Sequence, residues 1–116
     1  MNTVELDDRR AWRAWLEANH ESSDGVWLVT WKKSARRPRI DYDAAVEEAL
    51  CFGWVDSKSR SVDDERTSLY FAPRKAKSSW SASNAARVEK LEAAGLMRAP
   101  GRRAVEGAKR DGRWPS

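Results

Sequence analysis

Residues 26–32 read VWLVTWK, bounded by the turn-forming Ser22-Ser23-Asp24-Gly25 before them and by the basic loop KKSARRPR, Lys32 to Arg39, after them. Side chains alternate in an extended chain, so Trp27, Val29 and Trp31 point one way while Val26, Leu28 and Thr30 point the other. Both sets are apolar or β-branched. That pattern predicts a central strand covered on both faces.

Upstream of this strand, Asp7 can cap a helix running to about Asn19, with Trp12, Trp15 and Leu16 spaced i, i+3, i+4 on one face. Downstream, Asp41 can cap a second helix whose stripe is Tyr42, Val46, Ala49 and Leu50, stopped by Gly53. The runs WVDSKSRSV and TSLYFAP flank Asp63-Asp64-Glu65 and predict a hairpin whose first strand has one wet face. Ser81 can cap a third helix lined by Ala85, Val88 and Leu91 and ended by Gly95, and a short last helix runs from near Pro100 to Gly112. The expectation is an α+β fold, one domain over residues 1–116. It has a small antiparallel sheet of about three strands packed with about four helices, in the order αβαββαα.

Seven tryptophans are spread along the chain, and each indole can bury about 150–250 Å² of surface. Trp12 and Trp15 share a helix face and Trp27 and Trp31 a strand face, so these four are expected in the core. Trp54 marks the turn into the hairpin, and Trp114 is expected to be partly exposed. Trp80 alone has reactive chemistry close beside it.

Composition narrows the function classes. No apolar run approaches the ~20 residues of a membrane span, and the opening MNTVELDDRRAW is acidic, unlike a secretory signal. A cytoplasmic protein is expected. Cys51 is the only cysteine, which excludes an internal disulfide and suits a reducing compartment. The net charge of +4 is unevenly laid out: acids prevail in residues 1–31 and 41–56, bases in 32–40 and 57–116. The loops Lys32 to Arg39 and Pro73 to Ser79 are the two basic segments.

The second basic loop carries the main candidate site. Arg74, Lys75 and Lys77 lead into Ser78, Ser79 and a helix N-terminus, where free N–H groups and the helix dipole favour an anion. Trp80 adds a ring that can stack on a base, while Ser81 and Asn84 serve either as further donors or only as caps. A secondary group is Trp54, Asp56 and Lys58, expected on one face of a strand, where a carboxylate and an amine can transfer protons in a pocket or simply pair on a wet surface. Cys51, between Leu50 and Phe52, reads as a small core residue. His20 is the only histidine and reads as a solvated helix C-cap. No metal-ligand spacing, GxGxxG or GxxxxGK[ST] pattern occurs, so no metal and no cofactor are expected.

The series AVEEALCFGWVDS, then APRKAKSSWSASNAARVEKL, then a segment ending DGRW, closely resembles the N-terminal part of the YdeI/OmpD-associated (bacteriocin-protection) family, and WLVTWKK resembles that family's strand. Members continue past the GRW with another helical segment, and with the sequence stopping at Trp114-Pro115-Ser116 the resemblance implies that this segment is not to be expected here. The resemblance implies a bacterial protein linked with resistance to bacteriocins or antimicrobial peptides and associated with an outer-membrane porin. It implies no reaction. A basic chain repels cationic peptides at long range, so the electrostatics favour a regulatory role or an anionic partner over direct capture.

The expectation is therefore a non-enzymatic binding or regulatory protein that engages an unknown anionic ligand or protein through its basic helix N-terminus. The alternatives are a small enzyme using Asp56, Lys58, Arg74 and Ser79, and nucleic-acid binding.

Overall fold

The structure, a computed structural model, describes residues 2–115. The elements are β1 (Thr3–Glu5), α1 (Arg9–Asn19), β2 (Val26–Trp31), a 3-10 turn (Lys33–Ala35), α2 (Tyr42–Cys51), β3 (Trp54–Ser61), β4 (Arg66–Pro73), α3 (Ala82–Ala93) and α4 (Ala99–Arg110). The fold is α+β, with four helices and a four-stranded sheet in the order β1-β2-β4-β3. β2 is interior to the sheet, and all its residues but Trp31 are buried.

One strand more than expected is present, and the sheet is mixed. β1 runs parallel to β2, pairing Thr3 with Trp27 and Glu5 with Val29, while β2–β4 and β3–β4 are antiparallel. The observed order is therefore βαβαββαα. A strand of three residues is too short to display alternation, and it is held at the sheet edge by pairing rather than by a pattern of its own.

Helix starts follow side-chain chemistry. Asp8, not Asp7, caps α1 by accepting from Ala11 N–H at 2.7 Å. Asp41 and Ser81 cap α2 and α3 in the same way, at 2.8 and 3.1 Å. Each such bond satisfies a backbone donor that the helix itself leaves unpaired.

All four helices send side chains to one face of the sheet. Trp12 and Leu16 of α1, Ala45, Val46, Ala49 and Leu50 of α2, Val88 and Leu91 of α3 and Val105 of α4 meet Val26, Leu28, Trp54 and Phe71. Trp12 stacks on Trp15 at 5.5 Å, and its indole N–H donates to the Ala45 carbonyl at 3.0 Å, so this ring is both packed and polar-satisfied. α4 lies close against the end of α2: a Cβ on Gly101 would come 2.4 Å from the Cys51 carbonyl oxygen. Only a glycine admits that approach.

Of the two strand tryptophans expected in the core, Trp27 is buried and Trp31 only half-buried. They lie on the opposite face of β2, away from the helices. Trp27 is buried there beneath side chains of the sheet itself, with Arg60 Cζ 4.4 Å and Lys58 Nζ 6.0 Å from its ring centre. Arg37 lies 4.6 Å over Trp31 in the same manner.

α2 also carries two buried carboxylates. Glu47 bonds Arg9 at 2.9 Å and Lys90 at 2.5 Å, and Glu48 bonds Arg13 at 2.7 Å and the Arg9 Nε. Arg9 and Arg13 come from α1 and Lys90 from α3, so three helices are tied through two side chains. Burial acts to raise the Glu47 pKa. The hydrogen bonds from Lys90 and Arg9 outweigh it and hold the carboxyl below the ordinary value.

Candidate functional site

β4 delivers Arg74 to the sheet end, where the Arg74 N–H donates to the Gly53 carbonyl at 2.9 Å. That bond fixes where the side chain begins. Its Cζ then lies 3.9 Å from the centre of the Trp80 ring, and Nη2 donates to the Ser79 carbonyl at 2.9 Å. A second guanidinium reaches the same loop from the far end of the chain. Arg113 Nη1 donates to the Ser78 carbonyl at 2.7 Å, and Nη2 to Asp111 at 3.1 Å.

Local chemistry explains how Arg113 arrives. Gly112, at φ 76°, ends α4, and the Arg113 N–H donates to the Ala108 carbonyl at 2.8 Å, a glycine-dependent helix ending that turns the chain back. Trp114 is thereby set against Trp80, ring centres 5.1 Å apart and tilted by 47°, with Lys109 Nζ 5.0 Å from the Trp114 ring centre. The result is a sequence of cation, ring, ring and cation: Arg74, Trp80, Trp114, Lys109.

The electrostatics of this cluster are unbalanced. Burial first, and the charge of Arg113 second, push Arg74 below the ordinary arginine pKa. Among the described residues, three buried side-chain polar atoms have no hydrogen-bond partner: Arg74 Nε, Ser78 Oγ and Arg113 Nε. All three belong to this cluster. Buried donors are nearly always paired, so three unmet groups around two like charges amount to a concentrated demand for an acceptor.

The other anticipated residues are distributed as follows. Lys75 and Lys77 are exposed on the loop. Ser79 offers its carbonyl to Arg74 rather than its hydroxyl. Ser81 and Asn84 are engaged in capping: Ser81 Oγ accepts from Asn84 N–H at 3.1 Å, and Asn84 Oδ1 accepts from Arg87 at 2.9 Å. Trp54 is 1 % exposed and packs edge-on against Trp15, within the core.

The expected pairing of Asp56 with Lys58 on one face is overturned. Asp56 pairs with Phe71 and Lys58 with Tyr70, and the register shift between them leaves Ser57 as an extra residue. Asp56 therefore lies on the helix side, accepting from the Tyr42 hydroxyl at 2.9 Å, while Lys58 lies across the sheet, 5.5 Å over the Tyr70 ring. Cys51 is fully buried, and burial pushes its thiol pKa up, which disfavours a nucleophilic thiolate. His20 is the α1 C-cap, its Nδ1 2.7 Å from the Leu16 carbonyl and its side chain only 13 % exposed, rather than solvated.

Sequence reasoning missed Arg113, Trp114 and Lys109 as members of the site. The signal available was the Asp111-Gly112 helix stop followed at once by a cation and an indole.

Residues 4–104 match a family described as a domain of unknown function (DUF8412), and the chain belongs to that family. No curated protein and no solved structure matches the chain. Arg74 and Trp80 lie within the matched stretch, whereas Lys109, Arg113 and Trp114 lie beyond it. Among the described residues, no helix is long and apolar enough to cross a membrane, and no group of three or more His, Cys, Asp and Glu is placed to hold a metal ion.

Proposed function

We propose that this chain is a non-enzymatic binding or regulatory module that takes an anionic group, a phosphate or a carboxylate, between Arg74 and Arg113. The observation that carries the reading is the confinement of the unmet buried atoms to this one pair of arginines and the serine between them. Each guanidinium now holds a neutral carbonyl of the Ser78–Ser79 loop. An anion makes hydrogen bonds about twice as strong as a neutral acceptor does, so it competes with these carbonyls and relieves the repulsion between the cations. Exposed Lys75 and Lys77 would steer it inward. The test is titration with inorganic phosphate. Binding that weakens with salt and is abolished by Arg74→Ala with Lys75→Ala supports the reading; unchanged binding in that double variant removes it.

A second reading, nucleic-acid binding, draws on a different surface. Lys58, Arg60 and Arg37 lie over Trp27, Tyr70 and Trp31 on the sheet face away from the helices. Cations interleaved with aromatic rings are the ingredients of a single-strand platform. A labelled oligonucleotide whose affinity falls steeply with salt, and falls further in Lys58→Gln with Arg60→Gln, would favour it over the loop site.

The motifs EALCFGW and PRKAKSSWS support kinship with the YdeI/OmpD-associated proteins. With that kinship would come a cytoplasmic role in bacteriocin or antimicrobial-peptide resistance, tied to a porin; these steps rest on the motifs alone.

A further inference from the structure

The first basic loop, which the arginine pair leaves unused, borders a separate hollow of 290 Å³ between β2, β4, the 3-10 turn and α2. Its floor is apolar, made by Leu28, Ile40 and Leu69, and its mouth carries the cations Lys33 and Arg39. Among the described residues, no carboxylate lines it. Lys32, also at the mouth, bonds the Ser61 hydroxyl at 2.9 Å, whereas the side chains of Lys33 and Arg39 have no hydrogen bond or ion pair among the described residues. Inside, Thr30 is 8 % exposed; its hydroxyl oxygen accepts the Ile40 N–H at 3.1 Å, so its own O–H proton is left to donate.

We propose that this hollow is a ligand site for a small organic acid, a monoanion with an apolar body, such as a medium-chain or aromatic carboxylate. The apolar floor takes the body, Lys33 and Arg39 take the charge, and the Thr30 hydroxyl orients the head group. The volume sits at the small end of ligand pockets, which run from about 300 Å³ upward, so the occupant is a short molecule rather than a long lipid tail. An uncharged apolar compound would leave two cations unanswered, and a bare inorganic anion would leave the floor wet. Only both features together fill the site.

The experiment is an amide-resolved NMR titration of the whole chain with octanoate, alongside octan-1-ol and acetate. Octanoate is expected to produce saturable shifts at Thr30, Ile40 and Leu69, with the alcohol and acetate at least about tenfold weaker, each lacking one half of the recognition. Lys33→Gln with Arg39→Gln should weaken octanoate by roughly tenfold or more while leaving the thermal unfolding midpoint in place, because both side chains are exposed. Equal affinity for octanoate and octan-1-ol, octanoate shifts confined to other residues, or an undiminished affinity in the folded double variant would each overturn the proposal. Phosphate binding at Arg74 is unaffected by this variant, so the two sites fail or stand separately.

Discussion

Arg74 and Arg113 bind the carbonyls of two consecutive residues, Ser79 and Ser78. They come from segments 39 positions apart and meet with their Nε–H groups buried and unanswered. Arg113 has Asp111 as a counter-charge at 3.1 Å, whereas Arg74 is held by a neutral carbonyl and an indole face, so an anion has most to offer on the Arg74 side.

Phosphate is accordingly expected to stabilise the fold. Saturation at a hundred times Kd contributes about 2.7 kcal/mol, enough to raise Tm by several degrees in a chain of this size. Differential scanning fluorimetry in rising phosphate, against chloride at matched ionic strength, measures it. Arg113→Gln should cut the phosphate-specific rise to a small fraction, and an equal rise in wild type and variant would count against the paired-arginine site.

Glu47 makes stability depend on acid. Its folded pKa is depressed because the Lys90 and Arg9 bonds outweigh burial. The stability it contributes is therefore present above the unfolded value, about 4.3, and is lost as pH falls through the lower folded one. Tm followed from about pH 6 to pH 3 should fall at the acid end, with a flatter curve for Glu47→Gln.

Glu48, 3 % exposed, answers two arginines of α1. Glu48→Ala leaves both facing an emptied, partly buried site and is expected to cost about 3–5 kcal/mol, read by urea denaturation. A loss under about 1 kcal/mol would mean that these bonds behave like surface ion pairs.

Gly101→Ala tests the contact of α4 with α2. The added Cβ meets backbone carbonyls of Cys51 and Leu50 at 2.4 and 2.7 Å, and backbone cannot swing aside as a side chain does. A loss of about 1–3 kcal/mol is expected, despite the better helix propensity of alanine.

Much of the architecture was legible because local chemistry and tertiary structure agree. Asp41, Ser81, Gly53 and Gly95 mark helix limits that the structure keeps. The hairpin and the interior strand follow their patterns. β1 was not legible, since Thr3–Glu5 is a strand only by virtue of β2 beside it. The buried state of Glu47 and Glu48 was hidden too: in the chain they look like a polar face, and they are covered only because Arg9, Arg13 and Lys90 arrive from other helices. For the candidate site, Arg74 and Trp80 were recoverable from the sequence. Arg113 and Trp114 were marked only as a cation and an indole after a helix stop, and nothing local tells where that segment returns.

The unpaired Ser57 changes how β3 must be handled as a piece of sequence. Before it the odd-even phase assigns Asp56 to the helix side; after it the phase is inverted, and Lys58 and Arg60 fall to the far side. It works as a frameshift written into the strand. Deleting that one serine makes Asp56 and Lys58 neighbours, and simple alternation then keeps Asp56 opposite Phe71 and Lys58 opposite Tyr70. Pairing residue 57 in a strand ironed flat would instead swing Lys58 and Arg60 toward the apolar layer and strip the cover from Trp27, so a transplanted hairpin must either keep the bulge or omit the serine.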